Sequence, residues 1–260
     1  MKIKDIQFGP LIFFISLHLL LIGLFFIEIS KVEIIVFLIL YITRMIFAVL
    51  GYHRYFSHNA FKTSRFFQFI IALLAQSSGQ TGVLQWSAQH LKHHKYSDTP
   101  KDEHSPKYQG FLYSHFLWII DKKHSNVDYS YVKHFTKYKE LMFLNKYHML
   151  PMISLGILTY LIGGFSVFIF GYVLSSILIY HSYWSINSIS HIFGYQTYNT
   201  KDDSKNNFLL SILTFGDGWH NNHHKFPQKA NTAIKWYEID LVYQCMKILN
   251  FFKIIWDVKK

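Results

Sequence analysis

The sequence predicts an all-α membrane protein, in which four transmembrane helices form two hairpins beneath a helical cap on the cytoplasmic side. Three observations predict this fold. Four long apolar runs lie in two pairs, each pair is joined by a short connection, and the segments after each pair are polar, basic and rich in histidine. We expect a single integral-membrane domain over residues 1–260, with the cap formed by residues 52–147 and 191–260.

The composition supports a membrane protein. Of 260 residues, 51% are hydrophobic and 19% aromatic, which is more than an ordinary soluble domain carries. The formal charge of +11 suits an anionic lipid surface, and with such long apolar runs we do not expect nucleic acid as a partner. The single cysteine, Cys245, excludes an internal disulfide and a cysteine-rich zinc site.

The first hairpin is predicted over residues 10–29 and 32–51. Each run is about twenty residues long and has few charges, which is the length that a helix needs to cross hydrocarbon. The connection has no basic excess, whereas basic residues flank the pair on its outer sides: Lys2, Lys4, Arg54, Lys62 and Arg65. By the positive-inside rule, both flanks are cytoplasmic.

The second hairpin is predicted over residues 148–162 and 165–184, separated only by Gly163 and Gly164. Pro151 is tolerated there because it falls in the first turn of its helix. The pair returns the chain to the side on which it started. The sequence therefore places everything outside the two hairpins on one side of the membrane.

Two further apolar runs, Phe66 to Ala75 and Phe208 to Phe215, are too short to cross. If the first of them crossed, histidines that precede it and histidines that follow it would lie on opposite sides of the membrane. We expect an interfacial or buried helix there instead. The tail from Ala233 to Trp256 mixes apolar and charged residues, which predicts a helix packed on the domain or on the membrane surface.

Eight histidines fall in three short segments, which we call boxes. Box 1 has H-x-x-x-x-H spacing, and boxes 2 and 3 share H-x-x-H-H spacing. Their histidines are His53 and His58 in box 1, His90, His93 and His94 in box 2, and His220, His223 and His224 in box 3. Chance clustering does not explain three such segments on one predicted face, so the boxes indicate a metal site.

The spacing within the boxes constrains their geometry. On a helix, His90 shares a face with both His93 and His94, which suits a pair of metal ions. His53 and His58 lie about 140° apart around an ideal helix. The helix that carries box 1 must therefore end or distort there.

Two more candidates, Asn187 and His191, lie one turn apart where the last span leaves the bilayer. With His191, the set provides nine imidazoles, and Asn187 adds a contact directly or through water. Nine donors are more than one metal uses, and a structural zinc closes its shell with four ligands. Imidazole suits zinc, copper, iron and nickel. A redox-active metal pair explains the donor set better than structural zinc.

With these motifs in place, the chain resembles the membrane-bound fatty acyl desaturases of the stearoyl-CoA or delta-9 type. The resemblance covers roughly residues 35–258 and rests on four segments in order. These are Gly-Tyr-His-Arg-Tyr-Phe-Ser-His from Gly51, Trp-Ser-Ala-Gln-His-Leu-Lys-His-His from Trp86, Asn-Ser-Ile-Ser-His from Asn187, and Gly-Asp-Gly-Trp-His-Asn-Asn-His-His from Gly216.

The resemblance implies a non-haem centre of two iron ions, held by the nine histidines and by Asn187 through water. It implies that O2 and two electrons are used to form a cis double bond, at position nine, in a long-chain saturated acyl substrate bound as acyl-CoA or acyl-lipid. Gln80 and Trp86 would lie at the bend of the acyl tunnel. Tyr183 departs from the threonine of the animal enzymes, so their tunnel shape does not carry over.

No haem or flavin domain is evident in the sequence, so the electrons are expected from a separate cytochrome b5, ferredoxin or flavoprotein. Two alternatives stay open. A di-iron fatty-acyl or sphingolipid hydroxylase would use the same centre, and a membrane metal transporter would place its ligands near the middle of the membrane. The remaining histidines lack partner spacing and are predicted to be structural or solvated: His18, His104, His115, His124, His134, His148 and His181.

Overall fold

The computed structural model describes residues 2–260 and is predominantly helical. The α-helices are α1 (Phe8–Leu20), α2 (Lys31–Phe47), α3 (Arg65–Gln76), α4 (Val83–Tyr96), α5 (Pro106–Gln109), α6 (Phe111–His115), α7 (Lys139–Lys146), α8 (Leu150–Ser166), α9 (Ser175–Ser188), α10 (Phe208–Leu213), α11 (His220–Lys225) and α12 (Leu241–Phe251). The π-helices are Ala48–Ser57 and Val167–Leu174, and the 3₁₀ turns are Ile3–Asp5, Leu21–Phe26, Leu117–Ile120, Lys122–His124, Tyr129–Val132 and Ile189–His191. Two short strands, β1 (Lys62–Thr63) and β2 (Ile255–Trp256), pair antiparallel.

Within residues 2–260, three helices are long and apolar enough to cross a membrane. They are Phe8–Phe26, Lys31–Ser57 and Leu150–His191. The first two match the predicted spans at 10–29 and 32–51, except that the second continues as a π-helix to Ser57. The third contains both of the later predicted runs.

The first hairpin turns at Ser30, which begins α2. The Ser30 hydroxyl accepts a hydrogen bond from the Val32 amide (3.1 Å), and the Glu33 carboxylate accepts one from the Ser30 amide (2.9 Å). This capping box satisfies amides that have no partner within the helix. The local sequence therefore fixes where the second long helix starts.

The second hairpin turns at Gly164, where the backbone has φ 70° and ψ −169°. A side chain is strained in that conformation, so glycine is required. Beyond the turn, the Tyr172 hydroxyl donates to the Met152 carbonyl at 2.7 Å. In a continuous helix, twenty residues span about 30 Å. The chain therefore reverses, and Leu150–His191 is two packed helical segments.

The two hairpins pack side by side with their tips at the same end. Gly23, near the end of the first long helix, lies against Ile169, and Gly171 lies against Val36 of α2. The outward faces carry exposed apolar side chains, such as Leu161 with 73% of its surface exposed. A continuous apolar exterior of this kind fits a hydrocarbon environment.

A buried arginine connects the two hairpins. Arg44 of α2 donates hydrogen bonds to the Leu40 carbonyl (3.1 Å) and the Ser176 hydroxyl (2.7 Å), and it also bonds Ser175. Its guanidinium lies over the Tyr172 ring. An intramembrane charge is tolerated only where protein groups solvate it, so these contacts fix α2 against α9 and the preceding π-helix.

The two short apolar runs form the short helices α3 and α10. A helix was predicted for the first run, and for the second run the prediction was only that it is too short to cross. The tail differs from its prediction. Only Leu241–Phe251 is helical, because Asp240 begins the helix by accepting from the Tyr243 amide (2.8 Å). Before it, the Glu238 carboxylate accepts from the Ile234 and Lys235 amides and holds an irregular segment. Side-chain capping by two acidic residues overrides the apolar periodicity.

A buried ion-pair network ties the tail to the rest of the cap. Arg54, which lies within box 1, bonds Asp217 (3.4 Å) and Asp240 (2.8 Å), and all three side chains are almost fully buried. Removing one member would leave an uncompensated buried charge, which is strongly destabilising. The network therefore holds the end of the second long helix, box 3 and the tail in one arrangement.

Candidate metal centre

Box 1 occupies a π-helix at the end of the second long helix. The His58 amide donates to the His53 carbonyl at 3.2 Å, an i to i+5 hydrogen bond. This bond places the two residues one turn apart, and their ring centroids are 5.0 Å from each other. The distortion that the sequence required is therefore a π-helix, an element that often marks functional sites.

Box 2 lies on α4 and box 3 on α11. In both boxes, histidines four residues apart share one face of the helix, and the third histidine points to a different neighbour. Box 3 begins after a tight turn, in which a side chain on Gly218 would collide with the Ser211 backbone at 2.0 Å. His191 reaches the site on the 3₁₀ turn that follows α9.

The nine histidines converge in two adjacent groups. Within each group, one ligating atom per residue lies within 4.8 Å of all the others. The five-histidine group is His53, His58, His90, His94 and His223, and the four-histidine group is His93, His191, His220 and His224. Each H-x-x-H-H box thus contributes to both groups, and the consecutive residues His93 and His94 belong to different ones.

The separations of the ring nitrogens fit metal coordination. In the five-histidine group, neighbouring Nε2 atoms are 2.8 to 3.1 Å apart. Two nitrogens bound to one metal at right angles, each about 2.1 Å from it, are about 3.0 Å apart. In the four-histidine group, Nε2 of His191 and His220 are 3.0 Å apart, and the buried Nε2 of His224 has no hydrogen-bond partner in residues 2–260. Both donor sets fit an imidazole-bound metal ion.

Four carboxylates accept hydrogen bonds from the Nδ1 atoms of these histidines. The pairs are His53 with Asp217 (2.8 Å), His93 with Asp102 (3.0 Å), His191 with Asp98 (2.7 Å) and His224 with Asp202 (2.8 Å). Such contacts fix the tautomer and leave Nε2 free to bind a metal. None of these four carboxylates was predicted from the sequence. The one available signal was that Asp98, Asp102 and Asp217 lie within ten residues of a box.

Burial sets the protonation of the site. Removal from water holds the pKa of His58, His220 and His223 well below the usual value, and the neighbouring imidazoles add to the effect. Burial would raise the pKa of Asp102, but the charge and hydrogen bond of His93 outweigh it, so that pKa lies below its usual range. The site thus presents an ionised carboxylate at Asp102 and neutral imidazoles at His58, His220 and His223, the forms that metal binding requires.

Asn187 is not a member of either histidine group. It borders a cavity of about 20 Å³ together with His90, His104 and Trp118. The buried His104 Nδ1 and Trp118 Nε1 have no hydrogen-bond partner within residues 2–260. The cavity has room for one water molecule and has polar groups to bind it. This geometry is compatible with the water-mediated contact predicted for Asn187.

Four of the seven histidines that were predicted to be structural or solvated contact other histidines. His104 lies at the site, because its ring stacks on His93 with centroids 4.4 Å apart. Three others form a hydrogen-bonded chain away from the site: the His115 ring bonds His181 (3.0 Å), which bonds His18 (3.2 Å). The sequence offered no signal for these contacts, because the partners come from separate helices.

Gln80 and Trp86 lie in different surroundings. Trp86 stacks on His90 (ring centroids 4.7 Å apart) and also packs against the buried Tyr183. Gln80 borders an apolar cavity of about 370 Å³, whose other walls come mainly from α1, α8 and α9. The buried Gln80 Nε2 has no partner in the described residues. Trp86 therefore lies beside the histidines, and Gln80 lies at an apolar cavity.

Long apolar helices that end in converging histidine groups are features of the membrane-bound, metal-dependent oxidoreductases. The comparison with known families specifies the class. The chain belongs to the fatty acid desaturase family, whose model, described as fatty acid desaturase, matches residues 33–248. It is an oxidoreductase, a fatty acyl desaturase.

Individual relatives are similar over most of their length. An sn-1 stearoyl-lipid 9-desaturase of Anabaena variabilis is 34% identical over 85% of this chain and 82% of its own. A palmitoyl-monogalactosyldiacylglycerol delta-7 desaturase of Arabidopsis thaliana is 32% identical over 98% and 70%. A hex-5-enoyl-[acyl-carrier protein] acetylenase of Moorena producens is 35% identical over 89% and 78%. Their names differ in acyl carrier and in the bond that is oxidised.

Proposed function

We propose that this protein uses O2 and a di-iron centre to introduce a cis double bond at position nine of a long-chain saturated acyl group. The observation that carries the proposal is the convergence of nine buried or half-buried histidines on two adjacent points. A single metal ion does not need two such groups. The family membership supplies the reaction class, and the two groups supply a reason for two metal ions.

The five-histidine group would hold one iron and the four-histidine group the other, with Asn187 contributing through water. When bound, the iron pair supplies the oxidising power that no side chain has, which is needed to break unactivated C–H bonds. Overall, one O2, two electrons, two protons and a –CH2–CH2– unit give a cis –CH=CH– unit and two molecules of water. The protein contributes binding, orientation and exclusion of bulk water.

The residues around the histidines have defined parts in this scheme. Asp98, Asp102, Asp202 and Asp217 hold four imidazole rings by their Nδ1–H groups and so fix the direction of Nε2. Trp86 and Tyr183 form an aromatic wall beside His90. We assign this wall to the reacting part of the acyl chain, because its flat apolar faces exclude water without offering competing ligands.

The substrate is an acyl-lipid or acyl-CoA. The cavity beside Gln80 supports an acyl chain, because it is apolar and has the volume range of ligand pockets. Position nine is supported by the Anabaena variabilis relative, whose name specifies a 9-desaturase of stearoyl-lipid. The Arabidopsis thaliana relative is named for position seven. The experiment must therefore locate the double bond along the acyl chain.

We also propose four membrane crossings, with the histidine-rich cap over residues 52–147 and 191–260 in the cytoplasm. The reversal at Gly164 and the parallel packing of the two hairpin tips support this topology. Charge supports the sidedness, because lysine and arginine are abundant in the cap and sparse at the tips. Electrons would reach the cap from a separate cytochrome b5, ferredoxin or flavoprotein.

The experiment is expression in a host that lacks unsaturated lipid, followed by mass spectrometry and gas chromatography of the acyl chains. The proposal predicts a new monounsaturated chain, two mass units lighter than its precursor, with a cis bond at position nine. Gain of one oxygen atom would instead identify the hydroxylase alternative. Absence of any new acyl product under aerobic conditions, with the protein present in the membrane, would contradict both.

A further inference from the structure

The carboxylates that accept hydrogen bonds from the histidines are distributed unequally between the two groups. We propose that the four-histidine group binds its metal ion more tightly than the five-histidine group, and that the ion held there is the last to be reduced. This inference rests on the proposed two-metal function. It gives the two metal sites different affinities and a defined order of reduction.

The four-histidine group is backed by three carboxylates. Asp102, Asp98 and Asp202 accept from Nδ1 of His93, His191 and His224 at 3.0, 2.7 and 2.8 Å. Their side chains are 0%, 2% and 12% exposed. Only His220 lacks such a partner, and its buried Nδ1 is unpaired within the described residues.

Neutral groups donate the further hydrogen bonds of Asp98 and Asp102. Asp98 accepts from the Ser105 hydroxyl and the Asp203 amide, and Asp102 accepts from the amides of Asp98 and His104. Within residues 2–260, no lysine or arginine nitrogen lies within 4 Å of Asp98, Asp102 or Asp202. None of these three carboxylates therefore forms an ion pair with a lysine or an arginine.

The five-histidine group has one such carboxylate, Asp217 on His53. Among residues 2–260, the other four rings have no carboxylate oxygen within 4 Å. Asp217 also pairs with Arg54, which in turn pairs with Asp240. Asp217, Arg54 and Asp240 together carry a formal charge of −1 behind the five-histidine group. Asp98, Asp102 and Asp202 carry a formal charge of −3 behind the four-histidine group.

Two physical effects follow from this difference, and both act in the same direction. A carboxylate on Nδ1 makes the imidazole a stronger electron donor through Nε2. Uncompensated negative charge in a poorly hydrated site stabilises a cation, and it stabilises a trivalent ion more than a divalent one. The four-histidine group is therefore the tighter site, and it favours the ferric state more strongly.

The first test follows metal release. Protein loaded with two ⁵⁷Fe ions in detergent is exposed to a ferrous chelator under reducing conditions, and the retained iron is measured over time. We expect two phases of one ion each, with rates that differ by about tenfold or more, the scale of effect that partners of metal-bound histidines exert. Release of both ions at one rate would overturn the proposal.

Variants assign the phases. Asp202→Asn should accelerate the slow phase and leave the fast phase unchanged. Asp203→Asn is the matched control, because Asp203 is adjacent to Asp202, 44% exposed and paired with Lys107 rather than with a histidine; it should leave both phases unchanged. An unaltered slow phase in Asp202→Asn would contradict the proposal.

A second readout needs no variant. Mössbauer spectra of the wild-type protein, reduced by one electron per iron pair, should show one ferric and one ferrous site with trapped valence. A fully averaged pair would overturn the inference while leaving the two-metal function intact. Failure to bind two iron ions per chain would contradict the proposed function and this inference together, so the two kinds of failure are distinguishable.

Discussion

At the scale of single residues, His93 and His94 show how the centre is divided. Their side chains leave α4 in different directions, so His93 joins the four-histidine group and His94 joins the five-histidine group. His93 is also held by Asp102 and stacked on His104. A substitution at His93 would therefore remove one candidate metal ligand and keep the helix that carries it.

Replacing His93 with Ala is expected to abolish double-bond formation, to below about 1% of wild type, because loss of a ligand exceeds the 10- to 100-fold cost of losing its partner. The variant should still be found in the membrane fraction. Acyl-chain analysis and immunoblotting measure the two outcomes. His134→Ala, at an exposed histidine outside both groups, should keep full activity. An active His93→Ala protein would refute the assignment.

The buried histidines also predict a pH dependence. His58, His220 and His223 keep their pKa well below the usual value in the fold, whereas in the unfolded chain they titrate near pH 6.5. Below that pH, these three histidines bind protons in the unfolded chain but not in the folded chain. The metal-free protein should therefore lose about 1.4 kcal/mol per pH unit for each such histidine as the pH falls below about 6.5.

Thermal unfolding in detergent, after removal of metal, measures this effect. We expect a nearly constant midpoint between pH 7 and 8 and a steep fall between pH 6.5 and 5. His220→Gln should make the fall shallower, because one titrating group is gone. A midpoint that stays constant down to pH 5 would show that the imidazoles are not held neutral.

The carboxylates show what spacing cannot predict at this scale. The histidine boxes were visible because ligands repeat at helical intervals. Asp202, by contrast, is 22 residues from His224, and Asp98 is 93 residues from His191. Such pairs form only when loops fold across the site, so no local pattern shows which histidine each of these carboxylates contacts.

At the scale of elements, the second long helix illustrates a partial prediction. The 140° offset between His53 and His58 required a distortion, and the chain meets it with a π-helix over Ala48–Ser57. Which distortion occurs depends on tertiary contacts: a side chain on Gly51 would collide with Ile71 and Ala75 of α3 at 2.9 and 2.8 Å. In the tail, the apolar periodicity predicted a longer helix than the structure has, because capping by Asp240 begins the helix at Leu241.

The turn of the second hairpin gives a prediction about stability. Gly164→Ala should destabilise the protein by about 1 to 3 kcal/mol, because φ 70° with ψ −169° strains any side chain. A Cβ there would meet no atom within 4 Å, so a clash cannot account for the effect. Unfolding of the detergent-solubilised protein measures it.

Gly9→Ala is the matched control, because a Cβ at Gly9 also meets no atom within 4 Å, but its backbone is helical. It should be neutral or slightly stabilising. Equal stability of Gly164→Ala and wild type would mean that the chain does not reverse at Gly164, and the two-hairpin arrangement would have to be revised.

At the scale of the whole molecule, the proposed topology predicts which surfaces face which compartment. Single cysteines are introduced in a Cys245→Ser background, at Ile29 and Ile162 near the hairpin tips and at Lys137 in the cap. All three positions are exposed. In intact cells, a membrane-impermeant maleimide should label the two tips, and Lys137→Cys should be labelled only after permeabilisation.

Labelling of tips and cap from the same side would contradict four crossings. Labelling of Lys137→Cys alone in intact cells would reverse the orientation. The unsubstituted Cys245→Ser protein provides the background signal in both experiments, and activity of each cysteine variant reports that the fold is retained.

The helical class, the long apolar helices and the histidine clusters were predictable, because membrane thickness sets helix length and histidine is a distinctive ligand. The packing of the two hairpins, the division of nine histidines into five and four, and the unequal charge behind them depend on contacts between distant segments. Arg54 is an example: it follows His53 in box 1, yet its partners Asp217 and Asp240 lie more than 160 residues away. The histidine donor set was predictable from the sequence, and its division into two groups was not.

The most direct test of the central claim is the metal content and coordination of the purified protein. Elemental analysis combined with iron K-edge X-ray absorption should find two iron ions per chain, each with a first shell dominated by imidazole nitrogen. One iron ion per chain, a different metal in the active protein, or a first shell without imidazole would contradict the account.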